Sequence, residues 1–137
     1  MNIIGSWWFP FFLAAMIFIL GGCSKAKDQS IEPYSVIPPD KAVVHYDEAI
    51  IVDVRTAEEY KESHLKNAIN IPVDEIETRF EEEVTKDKNQ KIFVYCKSGV
   101  RAINAMEKLK SMGYIKIYSL GGIKDWEASK HTDYIER

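Results

Sequence analysis

Short apolar runs alternate with amphipathic stretches from Asp40 to the C-terminus, and this alternation restricts the fold more than any other feature of the chain. Ala49-Ile50-Ile51-Val52-Asp53-Val54 is β-branched and nearly free of polar residues, as a strand covered on both faces must be. Thr56 follows as a candidate helix N-cap, with Glu59 at the capping-box spacing. Ala68-Ile69-Asn70-Ile71 reads as a short strand closed by Pro72. Ile76, Phe80 and Val84 repeat every four residues and mark one face of a helix. Lys91-Ile92-Phe93-Val94-Tyr95 is a second strong strand. The helix over Val100 to Met112 is expected to bury Ile103, Met106, Leu109 and Met112, and Gly113 stops it. Ile115 to Leu120 is another strand, and Gly121-Gly122 turns into a short helix holding Trp126. Strands alternating with helices predict an α/β fold, a parallel sheet with helices on both faces. Sites in such sheets form where strands end at their carboxyl edge.

The first part of the chain is different. Met1 to Ser24 carries no Asp, Glu, Lys, Arg or His, so all 18 basic and 21 acidic residues lie beyond it. Residues 1–22 are expected to be a signal peptide or membrane anchor, residues 23–40 a tether rich in proline, and residues 41–137 the folded domain. Leu20-Gly21-Gly22-Cys23 resembles the lipobox of bacterial lipoproteins. That resemblance implies lipidation of Cys23 and a place in the bacterial cell envelope, on the periplasmic or outer side. An uncleaved helix in the inner membrane is the alternative. The net charge of −3 offers no general attraction to nucleic acid. Two cysteines are too few for a disulfide framework, and no residue spacing suggests a metal site or a cofactor.

Cys96 falls at the end of a strand, and Cys96-Lys97-Ser98-Gly99-Val100-Arg101 leads into a helix. Backbone N–H groups in such a turn can converge on an anion, and the helix adds its positive end. Gly99 suits a left-handed residue in the turn. Lys97 and Arg101 add positive charge. A sulfur at the centre is favoured as thiolate, and a thiolate among donors is a nucleophile facing an anion site.

The loop resembles the active-site loop of the rhodanese family, in which a cysteine carries a sulfane sulfur as a persulfide. Three other stretches resemble family motifs in the family's order. They are Asp53-Val54-Arg55-Thr56-Ala57-Glu58-Glu59-Tyr60, then Ser63-His64-Leu65-Lys66-Asn67-Ala68-Ile69-Asn70-Ile71-Pro72, then Gly121-Gly122-Ile123 with Trp126. Ser63 and Asn67 stand where the family has glycine. The resemblance implies a sheet of about five strands. It implies that Cys96 is the catalytic residue, that Lys97, Ser98, Gly99, Val100 and Arg101 cradle substrate and persulfide, and that Asp53 and Arg55 brace the site. His64 is read as structural.

Relatives that hydrolyse phosphoesters place five residues between cysteine and arginine, whereas this loop has four. Sulfur transfer is therefore preferred over phosphate or arsenate chemistry. The expected partners are a sulfur-containing anion such as thiosulfate, a cyanide or thiol acceptor, and a membrane reached through the N-terminus. A membrane-tethered persulfide carrier without efficient turnover is the alternative function.

Overall fold

The structure, a computed structural model, describes residues 30–137. The charge-free segment and Cys23 lie outside the described residues. Among the described residues no helix is long and apolar enough to cross a membrane.

A four-stranded parallel sheet forms the centre. Its strands are β1 (Ile50–Asp53), β3 (Ile69–Asn70), β4 (Lys91–Cys96) and β5 (Lys116–Gly122), in the spatial order β3-β1-β4-β5. A smaller antiparallel pair joins β2 (His64–Leu65) to β6 (Ile135–Glu136). The sheet has four strands where about five were expected; beyond them Val36 makes a single parallel bridge to Ser119 on the outer edge of β5. Ile37 N–H donates to the Ser119 carbonyl at 2.8 Å, and Tyr34 N–H to Ile117 at 2.7 Å. Residues 34–37 belong to the expected tether, yet they lie along this strand edge. An open edge presents unpaired N–H and C=O groups, and extended chain beside it satisfies them. Pro38 and Pro39 end the pairing, and α1 (Pro39–Ala42) starts there.

Side chains alternate across the sheet and build two cores. Val52, Ile92, Val94, Cys96 and Ile117 face α3 (Ile76–Glu83) and α4 (Val100–Ser111). Ile51, Phe93, Tyr95, Tyr118 and Leu120 face the other way, toward Ala42 of α1, Tyr46 and Trp126 of α5 (Ile123–Glu127). Helices therefore cover both faces, as a parallel sheet requires.

The expected face of α4 needs one correction. Ala102, Ala105, Met106 and Leu109 are buried, while Ile103 is 39% exposed. Positions three apart drift by roughly 60° per step around a helix, so the run Ile103, Met106, Leu109, Met112 cannot keep one face. Gly113 does end the helix, at φ 94°.

Helix α2 (Ala57–Glu62) begins with the anticipated capping box. Glu59 N–H donates to Thr56 Oγ1 at 3.3 Å, and Thr56 N–H donates to Glu59 Oε2 at 3.0 Å. Asn67 sits at φ 60°, a left-handed conformation that asparagine tolerates. Ser63 is extended at φ −166°, which makes no demand for glycine.

Candidate active site

The carboxyl end of the sheet brings Asp53, Arg55 and Cys96 to one rim. Cys96 is the last residue of β4 and only 1% exposed, on the face covered by α3 and α4. The chain then turns sharply. Gly99 takes φ 101°, and its N–H donates to Cys96 Sγ at 3.0 Å. Of the loop amides expected around the sulfur, this one reaches it. Helix α4 starts immediately afterwards and directs its N-terminal end at the turn. The loop side chains point elsewhere: Lys97 and Ser98 are exposed, and Val100 is 75% exposed.

Arg101 leaves the first turn of α4 and meets Glu59 on α2. Its Nη1 donates to Glu59 Oε2 at 2.7 Å and its Nη2 to Oε1 at 2.8 Å. Glu59 thus closes the capping box and clamps the cysteine loop with the same carboxylate. The Arg101 charge is therefore paired with Glu59. The hydrogen bonds to Glu59, with its charge, raise the guanidinium above its ordinary value. The Arg101 hydrogen bonds hold the Glu59 carboxyl well below its usual range, at about 2. The usual value is 4.5, so the clamp stabilises the fold fully above about pH 4.5 and loses this contribution as pH falls toward 2. Urea denaturation of wild type and Glu59→Gln should show a stability gap that is constant near neutrality and closes between those values.

Beneath the rim lies a buried polar knot. Asp53 is fully buried and Arg55 nearly so. Arg55 Nη2 donates to Asp53 Oδ2 at 2.7 Å and Nε to Oδ1 at 3.0 Å, a bidentate pair. Arg55 Nη2 also donates to the Ser63 carbonyl at 2.5 Å. Tyr95 Oη donates to Asp53 Oδ2 at 2.7 Å and accepts from Leu65 N–H at 2.9 Å. Burial, followed by the Asp53 charge, raises the Tyr95 phenol and keeps it a donor. Burial works against the Arg55 charge, but Asp53 outweighs it and the guanidinium stays protonated. The knot fixes β1, β4 and the segment before β2 relative to one another, directly beside the residue preceding Cys96. Asp53→Ala would leave a buried guanidinium uncompensated and should cost about 3–5 kcal/mol in urea denaturation.

The loop also rests on a glycine. Gly122, at the end of β5, is paired with Cys96 across a register shift. A Cβ on Gly122 would lie 2.2 Å from the Lys97 carbonyl oxygen and 2.8 Å from Ser98 Cα. Its φ of −112° suits any residue, so the need for glycine here is steric. Glu59, Tyr95 and Gly122 were not among the site residues legible in the sequence. Each lies within a motif or strand singled out there, but its partner is distant along the chain.

His64 of β2 is tied by its side chain to α2 and β6. Its ring stacks on Tyr60 at 4.0 Å, Nδ1 lies 3.0 Å from the Tyr60 carbonyl, and Nε2 is 3.3 Å from Glu136.

The structure is an α/β domain with a thiol at a strand-to-helix turn on the carboxyl edge of its parallel sheet, held by a backbone amide with a braced rim behind it. The chain belongs to the rhodanese-like family: residues 27–129 match the rhodanese-like domain. It is 42% identical over 74 residues to the thiosulfate sulfurtransferase PspE of Escherichia coli, covering 54% of this chain and 70% of that protein. It is 32% identical over 108 residues to YrkF of Bacillus subtilis, named as a candidate sulfur carrier, across 77% of this chain and 57% of that protein. Among solved structures, a rhodanese with anions from E. coli shares 40% identity at a TM-score of 0.53, over 56% of this chain and 89% of that one. A rhodanese-related protein of Thermoplasma volcanium superposes at a TM-score of 0.63 with 26% identity, over 72% of this chain and 95% of that one.

Proposed function

We propose that the protein is a sulfurtransferase in which Cys96 takes the outer sulfur of thiosulfate or a related donor and passes it to cyanide or a thiol. The observation that carries this reading is the Gly99 amide on Cys96 Sγ at the start of α4. The Cys96 thiolate attacks the outer sulfur of thiosulfate. A bond forms between Sγ and that sulfur, the donor's S–S bond breaks, and its electron pair leaves with sulfite. The Gly99 amide and the positive end of α4 are placed to hold the persulfide anion. Arg101, anchored by Glu59, keeps the cradle closed and adds charge. Lys97, Ser98 and Val100 form its outer lip, and Asp53 with Arg55 hold the rim still.

The two half-reactions share one carrier residue, so initial rates against both substrates should give the parallel lines of a double-displacement mechanism. Lines that intersect would mean that both substrates bind before sulfur moves, and the persulfide route would fall. The second reading is a persulfide carrier that loads and discharges slowly. The near-complete burial of Cys96 favours it. Thiocyanate production at the rate of loading would exclude it.

The N-terminal segment supports a place in the bacterial cell envelope, with a lipid on Cys23. Intact mass of the membrane-extracted protein tests this. The proposal expects loss of residues 1–22 and a gain of acyl mass on the remainder. An uncleaved, unmodified chain would contradict it.

A further inference from the structure

Strand β5 carries one residue more than its neighbour where the two reach the site. Val94 pairs with Ser119 and Cys96 with Gly122, so two steps along β4 match three along β5. The extra residue makes a bulge, and a bulge takes backbone groups out of the sheet ladder. Gly121 stands in it at φ 73°. The Gly121 N–H donates to Ser119 Oγ at 3.1 Å, and the Gly122 N–H donates to Asp125 Oδ2 at 2.9 Å. Both glycines are buried, and a buried amide left without a partner costs about 1–3 kcal/mol. Two side chains therefore staple the bulge. Ser119 is itself fully buried beside Leu120, a place where a hydroxyl is unfavourable unless it is hydrogen-bonded.

The cysteine loop lies on this bulge. A Cβ added to Gly99 would stand 3.5 Å from Gly121 Cα, so the two backbones are in near contact. One added to Gly122 would stand 2.2 Å from the Lys97 carbonyl oxygen. Gly99 is the residue whose N–H reaches Cys96 Sγ. We infer that Ser119 and Asp125 are positioning residues for Cys96: they hold the Gly121 and Gly122 amides, and the bulge so fixed sets how closely the Gly99 amide approaches the sulfur. A closer amide favours the thiolate, and a looser one favours the thiol. Asp125 acts here as a hydrogen-bond acceptor. Its negative charge would only oppose a thiolate, so an uncharged acceptor of the same shape serves as well. The inference rests on the reading of Cys96 as the reacting group.

The test compares Ser119→Ala, Asp125→Ala and Asp125→Asn with wild type in the full chain, each shown folded by circular dichroism. Iodoacetamide alkylation of Cys96, followed across pH by peptide mapping, reads the thiolate directly. Its midpoint should rise by about one pH unit in Ser119→Ala and in Asp125→Ala, and should stay at the wild-type value in Asp125→Asn. Sulfur loading from thiosulfate should be about fivefold slower in both alanine variants below that midpoint. The deficit should close at alkaline pH, where the thiol is ionised in every variant. A purely structural role would lower stability and leave the midpoint in place. Asp125 is exposed, so its two variants decide the matter alone if Ser119→Ala does not fold. A midpoint unmoved in a folded alanine variant would overturn the inference, as would Asp125→Asn shifted as far as Asp125→Ala. A wild-type chain that gains no sulfur from thiosulfate would overturn the sulfur-transfer reading instead, and the alkylation midpoints would still decide this one.

Discussion

Replacing Gly122 with alanine is expected to cut sulfur transfer by about a hundredfold while the chain stays folded. The new methyl would overlap the Lys97 carbonyl, whose oxygen lies 2.2 Å from its ideal position. Backbone on both sides cannot rotate away as a flexible side chain could. The loop must lift, and the Gly99 amide lifts with it, away from Sγ. A displacement of about 1 Å at reacting groups is enough for a loss of this order. Overpacking should also cost about 1–3 kcal/mol of stability, so activity must be read where circular dichroism shows the variant folded. The loss should appear in the rate of persulfide formation more than in thiosulfate affinity. A folded Gly122→Ala protein with wild-type loading would show that the loop does not depend on this close approach.

The second large effect concerns the nucleophile. Cys96→Ser should reduce thiosulfate:cyanide transfer to the uncatalysed background, with little loss of stability because the residue keeps its size and the Gly99 amide keeps an acceptor. A serine hydroxyl cannot form a persulfide. Partial activity in Cys96→Ser would mean that another group carries sulfur, and among the described residues Cys96 is the free cysteine. The same variant at full stability separates loss of chemistry from loss of fold, which Asp53→Ala cannot do.

Much of the scaffold was legible because it is local. The strands β1 and β4 announce themselves as apolar runs, the capping box of Thr56 and Glu59 is a fixed spacing, and Gly113 and Asn67 mark turns of positive φ. Cys96 was placed by its position between a strand and a helix. What the sequence did not disclose is long-range. Glu59 and Arg101 are 42 residues apart, as are Tyr95 and Asp53. No periodicity links such pairs; only the closed sheet brings them together. The Val36 bridge and the two-residue pair of β2 and β6 are too short to leave a pattern. Gly122 looked like a turn residue, but its function is to yield space to a loop that precedes it by more than twenty residues in the chain.

Whether Cys96 carries sulfur is decided by intact-mass analysis of the protein after exposure to thiosulfate and removal of excess donor. The mass should rise by about 32 Da, one sulfur, located on Cys96 by peptide mapping and released by cyanide. An unchanged mass in the folded protein, or the same gain in Cys96→Ser, would contradict it.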